Sequence, residues 1–306
     1  MIFDLHCDTL YELSDKLLNL DNKKLAVSLA SMEKYDKIIR CFAIFTPDTL
    51  SGQKAKQHFN NLYSVFQNQL KIYGDKISQI TIPQNLNKTH IGAVLTVENG
   101  NILAGEIGEI ERLKKLGVKL FCLTWNGENE LGFGQLKNKG LKDFGKECVS
   151  ELEKNNIAVD VSHLSDKGFE DVCCVSKKPF VASHSNARKI CSHKRNLEDS
   201  QILEIINRGG IIGLNFYKVF LNNDADSADK YDILRHAEHI LSLGGEKALC
   251  IGTDFDGAEI IDEFNCDEKL VKIENFFCQN GFDIKTIKNI LYKNAEHFFE
   301  TNLKDV

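Results

Sequence analysis

The opening segment MIFDLHCDTL places His6 and Asp8 two residues apart, directly behind the apolar Ile2, Phe3 and Leu5. Residues two apart in an extended chain share a face, so this imidazole and carboxylate can aim at one point and hold a metal ion. An accidental polar pair at a strand end is the competing reading of the decapeptide. The same arrangement then recurs along the chain. GAVLTV is followed by Glu98, IAVDVS by His163, PFVAS by His184, and LCIGT by Asp254 with Asp256 two further on. Each has an ordinary explanation when taken singly: a strand-capping histidine, a solvated loop acid, an aspartate bracing the turn at Gly257. Metal-ligand types closing five separate apolar runs are poorly explained by accident.

Three imidazoles and two carboxylates, from His6, Asp8, Glu98, His163 and His184, suit zinc or a similar divalent ion. Manganese or cobalt could fill the same ligands. Five ligands exceed one tetrahedral catalytic site with an open position, but they suit two ions sharing a carboxylate. Two ions ~3.5–4 Å apart can acidify a bridging water and polarise a carbonyl, so the expected reaction is hydrolysis. Asp254 is left as an acid or base, or as a hold on a substrate amine. Arg195, in the polar segment SHKRN, is either a surface arginine or a clamp for a substrate carboxylate. Trp125, in LTWNGENELGFG, either walls the substrate pocket or serves ordinary packing. His236 and His239, three apart in RHAEHIL, are expected as a surface pair on an outer helix.

Elements must bring these distant groups together. Apolar runs predict strands over about 2–5, 38–46, 91–97, 118–124, 157–162, 179–183, 210–215 and 248–253. Amphipathic stretches predict helices over about 53–73, 105–116, 142–155, 166–176, 198–208 and 229–244, with two more over 268–300. Strand alternating with helix implies a parallel sheet. Eight strands suit a closed (β/α)8 TIM barrel, read as a single domain over 1–306, whose strand ends open onto one active face. An open doubly wound sheet is the alternative, but no GxGxxG follows a strand.

A net charge of −6 and the lack of a basic tract give no support for nucleic-acid binding. No apolar run nears the ~20 residues of a membrane span. The start lacks the form of a signal peptide, and Cys41, Cys122 and Cys250 lie inside apolar runs with no CxxC in the chain. A reducing cytoplasm is therefore expected.

The motifs FDLHCDTL, TVENG, DVSHLSD, ASHSNAR, KRN and IGTDFDG, in order from residue 3 to 257, resemble the membrane (renal) dipeptidase family of zinc peptidases. The resemblance implies a (β/α)8 barrel of the metal-dependent hydrolase superfamily that cleaves dipeptides, L,D-dipeptides among them. By motif, His6 and Asp8 would bind one zinc, Glu98 would bridge, and His163 and His184 would bind the second. Arg195 matches the family arginine that holds the dipeptide carboxylate. The DFDG motif supplies the site aspartate, placed at Asp254, with the part played by Asp256 left open. Trp125 stands where the best-known mammalian members carry a histidine, with Asn126 able to assist. An indole N–H donates one hydrogen bond but cannot become cationic, which opens a second reading as a hydrolase of N-acyl-D-amino acids or lactones. A non-catalytic, metal-dependent small-molecule binding protein is the third. The family also implies a homodimer.

Overall fold

Strands buried on both faces are continuous apolar runs, and the runs here form parallel strands throughout. The computed structural model describes residues 1–303. Its strands are β1 (Ile2–Cys7), β2 (Ile38–Phe45), β3 (Ile77–Gln79), β4 (Ile91–Glu98), β5 (Val118–Cys122), β6 (Ala158–Asp160), β7 (Val181–Ala182), β8 (Ile211–Leu214) and β9 (Leu249–Ile251). The order runs β2-β1-β9-β8-β7-β6-β5-β4, and β2 also pairs with β4, so eight parallel strands close into a barrel. The expected TIM-like architecture is therefore present. The short β3 is an addition that the sequence pattern did not predict. It lies along Ile91–Ala93 of β4, below the point at which β5 joins at Leu95.

Helices cover the outside. Gly52–Ile72 buries Ala55, Phe59, Leu62 and Phe66, spaced three and four apart on one stripe. Asp199–Asn207 starts at Glu198, where a reciprocal capping box with Gln201 satisfies the first turn. Gly209, at φ 75°, stops it. The two helices expected in the tail become several pieces, of which Ile284–Lys288 and Asn294–Asn302 are joined by a π turn at Asn289–Lys293. That segment closes the bottom of the barrel. Tyr292 and Phe299 meet Phe3 at ring separations of 5.9 and 4.8 Å, above which Leu5, Ile39, Val94 and Leu120 fill the interior. The bottom is thus sealed by hydrocarbon, and the upper mouth is left for polar groups.

One irregularity decides where β1 aims its ligands. Phe3 and Leu5 pack inside the barrel, so strict alternation would turn His6 outward. Asp4 pairs with Arg40 but Cys7 pairs with Phe42, so three steps along β1 match two along β2. The extra residue inverts the phase. Cys7 joins the layer under the helices, and His6 and Asp8 turn into the mouth. Just behind them, buried Asp4 accepts from Arg40, from Thr253 Oγ1 (2.6 Å) and from the Thr253 amide (2.8 Å), which ties β1 to β2 and to the turn after β9. Arg40 also bonds Asp267, so its guanidinium is flanked by two carboxylates. Among the described residues, no helix is long and apolar enough to cross a membrane.

Candidate metal centre and substrate pocket

The strand-end ligand types singled out in the sequence, Asp256 excepted, converge in the barrel mouth. His6 Nε2 lies 3.4 Å from Asp8 Oδ2, 3.4 Å from Glu98 Oε2 and 3.7 Å from Asp254 Oδ1. His163 Nε2 lies 2.8 Å from Glu98 Oε1 and 2.9 Å from His184 Nε2. The groups divide into overlapping trios, His6–Asp8–Glu98, Glu98–His163–His184 and His6–His184–Asp254, with ligand atoms within 4.8 Å of one another. Glu98 belongs to two of them and turns one carboxylate oxygen toward each.

The hydrogen bonds around the imidazoles determine which nitrogen is free. Ser183 Oγ donates to Asp160 Oδ2, so its lone pair must accept from His184 Nδ1–H at 2.7 Å. Asp160 is itself held by the amides of Ser162 and Ser183, each at 3.0 Å. His163 Nδ1 bonds Asn126 Oδ1 at 3.0 Å, and Gln135 Nε2 reaches that oxygen at 3.4 Å. The amide of Gln135 also donates to the His163 carbonyl at 2.9 Å. Both rings therefore present Nε2 lone pairs to each other across 2.9 Å. Two lone pairs at that distance repel unless a cation lies between them. His6 Nε2 and Asp8 Oδ1 are buried without any hydrogen-bond partner. This donor set of neutral imidazole nitrogens, carboxylates and orphaned buried atoms fits a divalent cation site.

Electrostatics agree with the geometry. Burial works against a charged His6, but the Asp8 and Glu98 carboxylates outweigh it and raise its pKa well above the ordinary value. Burial, reinforced by Asp8, pushes Glu98 up to about 8. Burial likewise raises Asp254. The His6 shift reflects the carboxylates crowded around it, whereas the Glu98 and Asp254 shifts reflect chiefly the cost of burying a carboxylate, with Asp8 adding to both. Burial lowers His163 and His184 well below the usual range, with Arg195 and His6 adding to it, and keeps both rings neutral. Backbone strain gathers here too. His163, Asp254 and Asp256 have φ of 69°, 65° and 64°, a region costly for residues with a Cβ. Gly257 must be glycine, because a Cβ there would sit 1.9 Å from Asp8 Oδ2.

A cavity of about 630 Å³ opens over the cluster. Arg195 lines it with only 4% exposure. Its guanidinium makes two long contacts, 3.3 Å each, to Ser185 Oγ and the His184 carbonyl, and Nε has no partner. It is a buried cation that faces the cavity without a carboxylate bonded to it. Trp125 and Asn126 line the same cavity. Asp254 Oδ2 is held by Asn215 Nδ2 at 2.9 Å, which leaves Oδ1 toward the cluster. Asp256 faces the other way: Oδ1 accepts from the Ala26 amide and Oδ2 from Thr9 Oγ1, so it braces the loop over residues 20–28.

One expectation is corrected. His236 is not on the surface. It is fully buried, accepting from the Ala187 amide and bonding the Leu221 carbonyl. The helix packs on the barrel through the face that carries His236, Ile233, Ala237 and Ile240. His239 is part-buried and paired with Asp199. Sequence reasoning missed Asp160, Ser183 and Gln135. The repeated Ser-His pairs at 162–163 and 183–184 were the available signal for the first two.

A parallel barrel with a cluster of carboxylates and imidazoles at its mouth defines a metal-dependent hydrolase. The family model described as membrane dipeptidase (Peptidase family M19) matches residues 1–303. The chain belongs to that family. It is 28% identical over 215 residues to an uncharacterised protein in the pqqA 5′ region of Klebsiella pneumoniae, covering 67% of this chain and 79% of that one. It is also 28% identical over 227 residues to an uncharacterised dipeptidase of Schizosaccharomyces pombe, covering 65% of this chain and 55% of the yeast protein, about half its length. The fold superimposes on a metallopeptidase from Rhodobacter sphaeroides, liganded with a phosphinate mimic of L-Ala-D-Ala, at a TM-score of 0.92 and 21% identity. That comparison covers 98% of this chain and 99% of the other.

Proposed function

We propose that the protein hydrolyses dipeptides, L,D-dipeptides among them, with two zinc ions held by His6, Asp8, Glu98, His163 and His184. Membership of the family supports the reaction class, and the mimic bound by the Rhodobacter neighbour supports testing L,D-substrates. The observation that carries the reading is Glu98, whose Oε2 faces His6 and whose Oε1 faces His163. Two divalent cations bound there would lower the pKa of water and polarise the scissile carbonyl. The chain's own residues do the rest. Arg195 receives the C-terminal carboxylate through charge-assisted hydrogen bonds that nothing in the protein now makes at short range. Asp254, with Oδ2 fixed by Asn215, turns Oδ1 to the reacting atoms. Burial raises its pKa, so it can take the proton of the attacking water and hand it to the nitrogen of the leaving amine. Trp125 and Asn126 complete the substrate wall. Of the ten free cysteines six are buried, two half-buried and two exposed, which supports the reducing cytoplasm we assign to it.

The test is Glu98→Gln. Turnover of a dipeptide panel should fall by roughly 10²-fold or more, and metal content by elemental analysis should fall with it. Full activity together with an unchanged complement of metal would overturn the bridging assignment. A second reading, hydrolysis of N-acyl-D-amino acids or lactones, is favoured by the indole of Trp125, which cannot become cationic. Assaying those compounds beside the dipeptides separates the two.

A further inference from the structure

The cavity has two unlike halves. Arg195, in the loop after β7, and Asp254, after β9, stand on one side, where the Phe220 ring lies against the guanidinium at 5.2 Å and Tyr217 meets Phe220 edge-on. On the other side, at the ends of β1, β2 and β5, stand Tyr11, Phe45 and Trp125. Their rings form one continuous wall. Phe45 meets Tyr11 edge-on at 5.5 Å and Trp125 edge-on at 5.0 Å. The wall continues onto the cluster, since Trp125 lies 6.3 Å from the His163 ring and Phe45 is the register partner of Glu98. Among the described residues that line this cavity, Arg195 is the one lysine or arginine. Glu12 lines it beside Tyr11 and is already paired with Lys16. An acidic group laid against the aromatic half would therefore meet the Glu12 carboxylate and no cation of the described lining, while an apolar group would be sheltered on three rings.

We infer that the Tyr11–Phe45–Trp125 wall receives the N-terminal side chain of the substrate and selects large apolar residues there, with Trp125 as the specificity-determining residue. The inference rests on the dipeptidase reading. With the C-terminal carboxylate at Arg195 and the scissile carbonyl over Glu98, the remaining part of a dipeptide extends toward β2 and β5. The volume, about 630 Å³, is far more than two alanine side chains occupy. Burying a large apolar side chain against the wall is worth about 10- to 100-fold in kcat/KM over glycine.

The experiment compares Phe-Ala, Leu-Ala, Gly-Ala and Glu-Ala with the zinc-reconstituted full chain. Phe-Ala and Leu-Ala should exceed Gly-Ala by about tenfold or more, and Glu-Ala should be the poorest. In Trp125→Ala the Phe-to-Gly ratio should collapse toward unity, and in Trp125→Phe most of it should survive. Trp125 is the only tryptophan, so its emission reports the wall directly. A phosphinate analogue with an N-terminal Phe side chain should shift that emission more than its glycine counterpart. A flat profile in the unmutated protein, or a ratio unchanged in Trp125→Ala, overturns this inference while leaving the dipeptidase reading intact. Cleavage of no dipeptide at all overturns both.

Discussion

His236 is fully buried and clasps two loops that frame the substrate cavity. Its Nδ1 accepts from the Ala187 amide at 3.1 Å, and its Nε2 bonds the Leu221 carbonyl at 3.0 Å. Both contacts are satisfied only by the neutral ring with its proton on Nε2. Protonation of Nδ1 would set an N–H against the Ala187 N–H, in the loop that leads to Arg195. Burial lowers the pKa of His236 from 6.5 to about 4. A fall of that size corresponds to about 3 kcal/mol of stability. The folded pKa lies below the unfolded one, and the group is a base. Above pH ~6.5 neither state binds the proton and the contribution is whole. Between there and about pH 4 the unfolded chain takes up a proton that the folded chain refuses, and the contribution is lost. Urea unfolding of the unmutated protein and of His236→Gln across this range isolates the effect, because titrations common to both cancel in the difference. The stability gap should shrink by about 3 kcal/mol from neutral pH to about pH 4. A gap that stays constant would refute the neutral clasp.

Two other outcomes follow from the contacts behind the cluster. Asn126→Ala removes the acceptor that orients His163, and Ser183→Ala cuts the link from Asp160 to His184. Each should weaken metal binding about 10- to 100-fold, read by competition with a chelating dye, while the unfolding transition of the metal-free protein moves little. Chelation of the unmutated protein should lower its Tm, because it leaves facing Nε2 lone pairs and the unpartnered His6 Nε2 and Asp8 Oδ1 in the interior. Zinc at a hundredfold excess over its Kd should restore about 2.7 kcal/mol per site, and an unchanged Tm would speak against a cation site.

His6, Glu98, His163, His184 and Asp254 were legible because each follows a run of apolar residues, and a parallel strand buried on both faces leaves that mark whatever surrounds it. The alternation of runs and amphipathic stretches carried the barrel for the same local reason. The three-residue β3 was invisible, because Ile77–Gln79 buries only one side chain fully and lacks any period. His236 was misplaced because a helical spacing shows that a face exists but not which face the barrel will cover.

By itself, then, the sequence determined the inventory of the site: which side chains close which strands, and that they are imidazoles, carboxylates and one arginine. Only the tertiary structure decided their directions. The extra residue in β1 turns His6 and Asp8 inward against the alternation set by Phe3 and Leu5. The Asp160–Ser183–His184 and Gln135–Asn126–His163 links choose the nitrogen each ring presents. The physical reason is range. Burial of an apolar run is a property of neighbours in the chain, whereas the aim of a lone pair is set by hydrogen bonds between residues brought together only when the barrel closes.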